Sequence, residues 1–182
     1  MAETTAAAVS GAFWHYTLTD RLLRIVADAR IRRAKAMVSG GERAAVWFSC
    51  RSSWEPTATK LYKSAQGEVR RATIPEMITK CGPLVRIEAR SSVARYSWVE
   101  HRRIGQIDAR MADGLERAAR EIGAEPNDWR VIYRDVALRD IVSVEASLDG
   151  ATWERVGHQA EDAIQFTEQF IDLAGWAIKG PE

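Results

Sequence analysis

The sequence predicts a mixed α+β domain, and three observations predict it. Short β-prone aromatic runs alternate with helical segments early in the chain, three strand candidates cluster late around Asp149-Gly150, and an apolar stripe of helical spacing follows them. Late strands joined by a hairpin signal argue against a doubly wound parallel sheet. The 182 residues suffice for one domain with a sizeable core. The expected organisation is a loose, small and polar arm over 1–11 and a single domain over 12–182.

Phe13 to Thr17 is the first expected strand. Thr19 suits an N-cap and Asp20 the positive end of a helix dipole, so Thr19 to about Arg32 reads as a helix with Leu22, Leu23, Val26 and Ala29 on its apolar face. His15 then stands at a strand end facing a helix start, as a structural hydrogen-bonder or a ligand group. Arg30, Arg32, Arg33 and Lys35 form a basic cluster that either compensates the dipole or meets nucleic acid. Ser39-Gly40-Gly41 turns the chain into Ala45 to Ser49, a short apolar run read as a buried strand. After a polar break at Cys50 to Ser53, Trp54-Glu55-Pro56 predicts a helix running to Tyr62, with proline in its first turn. The corner gathers Ser49, Ser53, Trp54 and Glu55 at a helix mouth whose first N–H groups lack partners.

Ile74 to Ile78 predicts a short helix, ended by Cys81-Gly82-Pro83. Leu84 to Arg90 alternates, with Val85, Ile87 and Ala89 facing inward and Arg86, Glu88 and Arg90 outward, as a strand buried on one side would. Ser91 to Gly105 follows neither period and reads as a long loop, whose arginine and aromatic residues are either solvated or grip a ligand. Ile107, Met111, Leu115, Ala119 and Ile122 form a helical stripe that Gly123 can cap. Trp129 to Tyr133, Ile141 to Ser147 and Thr152 to Val156 are the late strands. Ala163, Phe166, Phe170, Leu173 and Ala177 mark a closing helix over 158–178, able to cover the sheet or to pair with a second copy as a homodimer.

The 26 basic and 25 acidic residues leave a formal charge of +1, so no global field advertises nucleic acid or membrane. Cys50 and Cys81 are too few for a disulfide scaffold and lack zinc spacing, which fits a reduced, cytoplasmic protein. The first eleven residues carry no basic stretch or long apolar run and no window of about 18 apolar residues occurs, so neither a secretory leader nor membrane association is expected. Three histidines, His15, His101 and His158, have no metal-binding spacing. Phosphate-loop, nucleophile-elbow and zinc-protease signatures are missing.

His15-Tyr16-Thr17 on a first strand, a helix, then Val46-Trp47-Phe48-Ser49 and a polar break together resemble the NAD-binding half of the ADP-ribosyltransferase-like fold. That half is similar in the poly(ADP-ribose) polymerase catalytic core and in small bacterial and phage ADP-ribosyltransferase toxins. Asn127 to Tyr133 is similar to the strand bearing the catalytic acid in that fold. The resemblance implies a mostly antiparallel split sheet flanked by helices, with NAD as substrate and a protein, DNA or RNA target, in a toxin or phage–host setting. It places His15 on the adenosine-side ribose, with Tyr16 and Thr17 supporting the strand and Trp47 at an aromatic position. Ser49 or Ser53 would meet the nicotinamide amide, and Trp54 or Tyr62 the ring, with Glu55 at the same corner. The family's glutamate is matched here by Asp128, beside Arg130; an Asx-turn role is the other reading of Asp128. Glu145, Glu55 and Glu100 are the alternative carboxylates. Two further readings stay open: an RNA 2′-phosphotransferase using Arg86, Arg102 and Arg130, and a binding module of the same fold without chemistry.

Overall fold

A computed structural model describes residues 11–34, 42–63 and 67–157. The expected arm therefore lies almost wholly outside the described residues, as do the closing helix over 158–178, the homodimer placed on it, and His158. The architecture is mixed α+β, as the sequence predicts.

In chain order the elements are β1 (Phe13–Leu18), α1 (Thr19–Ala27), β2 (Arg30–Ile31), β3 (Val46–Ser49), β4 (Leu61–Lys63), β5 (Val69–Arg71), α2 (Ile74–Cys81) and β6 (Leu84–Ala89). Then come β7 (Tyr96–Ser97), α3 (Trp98–Ile104), α4 (Ala109–Glu121), β8 (Trp129–Ile132), β9 (Val136–Ala137), β10 (Ile141–Ser147) and β11 (Glu154–Gly157). Seven strands form one sheet in the order β11-β10-β6-β1-β3-β8-β7, and its pairs are antiparallel. The pairs β2-β9 and β4-β5 stand apart as two-stranded ribbons.

Strand alternation sorts the sheet into two faces. Phe13, Val46, Phe48, Val85, Ile87 and Val144 share a core with Leu22 and Ile25 of α1. On the opposite face Trp14, Tyr16, Leu18 and Leu84 pack with Trp54 and with Met77 of α2. Further along that second face Trp129 joins Trp98 of α3 and Ala112 and Ala119 of α4, with Trp47 against them. Both faces are covered, so β6 is buried on both sides rather than on one.

The sheet is not evenly stitched. β1 pairs with β6 along its whole length, but with β3 through a single position, Trp14 opposite Ser49. It thus consists of two blocks, β11-β10-β6-β1 and β3-β8-β7, meeting at one joint.

Several expected elements differ. α1 ends at Ala27 rather than about Arg32, because Ala29 turns to φ +53° and the chain leaves as β2. Thr19 does not cap α1; its hydroxyl donates to the Pro83 carbonyl at 2.9 Å. Leu23, expected on the apolar face, is exposed. The helix expected after Trp54 is only a three-residue 3₁₀ turn, Pro56–Ala58, after which Thr59 is extended and β4 begins. The segment expected as a loop over 91–105 contains β7 and α3, and α3 starts with a capping box in which Ser97 and Glu100 satisfy each other's backbone.

Candidate functional site

The polar corner after β3 is built on the joint. Ser49, the last residue of β3, donates its hydroxyl to Glu55 Oε2 at 2.8 Å, and the backbone N–H of Arg51 donates back to Ser49 Oγ at 3.2 Å. Glu55 Oε1 accepts from the Thr57 hydroxyl at 2.9 Å and from its N–H at 3.3 Å. Ser49 and Glu55 are both buried, and the carboxylate's recorded donors are neutral hydroxyl and amide groups.

The loop between them lies on the second face of the sheet and is pinned from three sides. Tyr16 donates its hydroxyl to the Arg51 carbonyl, and burial pushes the Tyr16 phenol up to about 12. Arg51 reaches the other way, from Nε to Ser53 Oγ at 3.0 Å and from Nη1 to the Gly123 carbonyl at 2.8 Å. Trp54 donates its N–H to the Gly150 carbonyl at 3.0 Å and its ring N–H to Thr59 Oγ1 at 2.9 Å, while its ring meets Tyr16 edge-on.

Beneath this loop Arg86 extends from β6. Its guanidinium lies over the rings of Trp14 at 4.0 Å and Trp153 at 4.5 Å. It donates to Glu145 on β10, from Nε at 2.8 Å and from Nη2 at 2.5 Å, and to the Ser52 carbonyl through Nη1. Both side chains are 11% exposed. Two residues along the same face, Ser143 donates to Glu88 at 2.8 Å. Arg86 and Glu88, expected to face solvent, are instead half-covered members of this polar layer.

His15 occupies the joint in another way. Its Nδ1 lies 2.9 Å from the Trp47 carbonyl. A carbonyl only accepts, so Nδ1 carries the proton, and the imidazole takes the place of the next rung between β1 and β3. Burial pulls its pKa below the ordinary value, against the raising effect of that carbonyl bond, and Lys60 lowers it further. The neutral form is therefore favoured at neutral pH.

The expected site residues are divided. Tyr16, Ser49, Ser53, Trp54 and Glu55 come together on the second face, and Glu145 reaches them through Arg86 and Ser52. Asp128 is brought alongside by its carbonyl, which accepts from Cys50 N–H at 2.9 Å. His15 and Thr17 belong to the opposite face: the His15 ring meets Phe48 edge-on, inside the α1-side core. Arg130 is on that face too, its Nη1 folded back onto the Asn127 and Trp129 carbonyls at 2.7 and 2.8 Å. Arg130 and Glu145 sit four strand positions apart, about 19 Å, so they do not act on one reacting atom. Trp47 is packed against Trp98, Trp129 and His101. Tyr62 is away from the corner on the β4-β5 ribbon, under Lys80 and Arg70.

The other candidates are engaged within the protein. Glu100 closes the α3 capping box. Arg102 donates to Glu116 at 2.8 Å and to Asp113 at 2.9 Å. With Arg86 of β6 on Glu145, Arg130 of β8 on carbonyls and Arg102 on α3, the three arginines of the phosphotransferase reading are dispersed and committed. Sequence reasoning passed over Arg51, Trp14 and Trp153 altogether. No periodicity could have found them, because Trp14 and Trp153 meet on Arg86 of β6 and Arg51 reaches Gly123, 72 residues further along the chain.

Among the described residues no cluster of His, Cys, Asp and Glu is placed to hold a metal ion, and no helix is long and apolar enough to cross a membrane. Burial raises the pKa of both half-buried thiols, Cys50 and Cys81, which keeps them protonated. No family model, curated protein or solved structure matches the chain.

Proposed function

We propose that this chain is an ADP-ribosyltransferase-like protein that takes NAD where its sheet divides and transfers ADP-ribose to a macromolecule. The observation that carries the reading is the joint itself. The His-Tyr-Thr strand and the Val-Trp-Phe-Ser strand meet at one position, with the His15 imidazole filling the next rung and the Ser49–Glu55 pair on the adjoining residue. A divided antiparallel sheet carrying these two motifs is what the family resemblance calls for.

The chemistry needs a carboxylate near the ribose C1′, where positive charge develops as nicotinamide leaves. Glu145 is held by Arg86 and Glu100 by its helix start. Glu55 is buried beside the joint and bonded only to neutral donors among its recorded partners, so it takes the carboxylate role in this reading. Burial also limits water at that carboxylate, which favours transfer over hydrolysis.

A second reading, a binding module without transfer, is favoured by one specific observation: His15 and Ser49 project to opposite faces of the sheet. The two are separated by experiment. In the transferase reading, NAD at about 100 times its Kd raises stability by about 2.7 kcal/mol, or roughly 5–10 °C in Tm. It also releases nicotinamide, and Glu55→Gln abolishes release while keeping the melting shift. A shift without release in the parent chain supports the binding module. No shift at millimolar NAD sinks the NAD reading entirely.

A further inference from the structure

The β4-β5 ribbon stands outside the seven-stranded sheet. Its register sets Leu61 opposite Arg71 and Lys63 opposite Val69, so alternation puts these four side chains on one face. That face is open: Leu61 is 68% and Val69 65% exposed, and Lys63 and Arg71 are exposed beside them. The other face is anchored. Lys80 of α2 sits 3.4 Å over the Tyr62 ring, Arg70 covers the same ring at 5.3 Å, and Arg70 is bound by Glu76. Glu76 is thereby used up. None of the ion pairs among the described residues engages Lys63 or Arg71, the two cations of the open face. Glu68, the other acid of the ribbon, acts on Arg70 of the anchored face, so in a chain of net charge +1 the open face sets two cations beside two exposed aliphatic side chains.

We propose that this ribbon binds single-stranded nucleic acid, with Lys63 and Arg71 taking phosphates and Leu61 and Val69 meeting base faces. The proposal goes beyond the NAD reading and does not depend on it. Two classes of polyanion with apolar parts could answer such a surface, and the register chooses between them. Each aliphatic residue faces a cation across the ribbon, and same-face neighbours along a strand are about 6.7 Å apart. Sinking Leu61 or Val69 into a membrane's acyl region would drag Arg71 or Lys63 with it. A nucleotide strand presents phosphate and base side by side at short intervals, and so satisfies both kinds of side chain at once.

The test uses the full chain and a labelled oligothymidylate of roughly 20 nucleotides, followed by anisotropy at about 50 mM salt. Micromolar binding is expected, with a log–log salt slope of about −1.4 from two phosphate contacts. The double variant K63E/R71E should bind at least about tenfold more weakly with a shallower slope, whereas L61S/V69S should weaken binding and leave the slope unchanged. R117E, on the exposed side of α4, is the control and should bind like the parent. All these side chains are exposed, and unchanged circular-dichroism melts verify that the fold is kept. The proposal is overturned by absent binding, by an equal loss in R117E, by indifference to K63E/R71E, or by capture on phosphatidylserine vesicles with the oligonucleotide ignored.

Discussion

Arg86 and Glu145 face each other across β6 and β10, with guanidinium Nε 2.8 Å from the carboxylate and two tryptophan rings closing over the pair. The same guanidinium holds the Ser52 carbonyl, so one buried cation ties the sheet to the loop that carries Ser49 and Glu55.

Breaking that pair from one side should cost more than removing it whole. Glu145→Leu leaves the Arg86 charge buried without its partner, at about 3–5 kcal/mol, whereas Arg86→Met leaves Glu145 with only the more distant Arg155 guanidinium at 3.9 Å and should cost somewhat less. The double variant should be far closer to the parent. Urea titrations of all four proteins read this directly, and additive single losses would show that the two side chains are not coupled.

His101 makes stability pH-dependent. It is fully buried, bonded through Nδ1 to the Tyr133 hydroxyl at 2.8 Å, and burial pulls its pKa from 6.5 down to about 4. Between those values the unfolded chain holds a proton that the native chain does not. The contribution is therefore intact above pH 6.5 and is lost as pH falls towards 4, by about 3 kcal/mol at the bottom of that window. His15 shifts in the same direction and adds to the effect. Tm measured at about pH 7 and pH 4.5 should fall less in His101→Gln than in the parent; equal falls would rule this out.

Asp149 acts in a lower window. The N–H groups of Thr152 and Ala151 hold its carboxylate down to about 2, from an ordinary 3.8. Its depressed pKa supplies stability above about pH 4 that disappears as pH falls through 2. Asp149→Asn should flatten the acid limb of the stability curve there and leave the limb between pH 4 and 6.5 unchanged, as acid titrations followed by circular dichroism would show.

Gly150 is constrained twice. Its φ is +76°, and a Cβ there would lie 2.8 Å from the Ile74 Cδ1 and 3.3 Å from the Trp54 Cβ. The isoleucine tip can yield, whereas the backbone conformation cannot be relieved. Gly150→Ala should therefore destabilise by about 1–2 kcal/mol and weaken the Trp54 N–H bond to the Gly150 carbonyl, seen as faster exchange of that amide.

The elements legible from the sequence were those whose signal is local. Leu84 to Ala89 announced itself by alternation, and α2 by Pro75 with a stop at Gly82. α3 carried a local signal as well, Ser97-Trp98-Val99-Glu100, a capping box that the surrounding arginines obscured. Pro56 misled because proline opens a 3₁₀ turn as readily as a helix. What ended the turn was Thr59, held extended with its hydroxyl on the Trp54 indole.

The candidate site was half legible for the same reason. Ser49, Trp54 and Glu55 are near neighbours in sequence and stayed together in space. Arg86 and Glu145 are 59 residues apart, and no spacing rule says that β6 and β10 will be adjacent. Nor does any single residue announce that β1 and β3 share one rung, which is what sends His15 and Ser49 to different faces.

The ribbon of β4 and β5 leaves and rejoins the body of the protein at one place, since the Ala72 N–H donates to the Lys60 carbonyl at 2.9 Å. Chain entry and exit are thus already sealed at the root. A short Gly-containing turn between Lys60 and Ala72 could therefore replace the ribbon, at the loss of its Tyr62–Lys80 and Arg70–Glu76 contacts with α2, while the seven-stranded sheet closes as before.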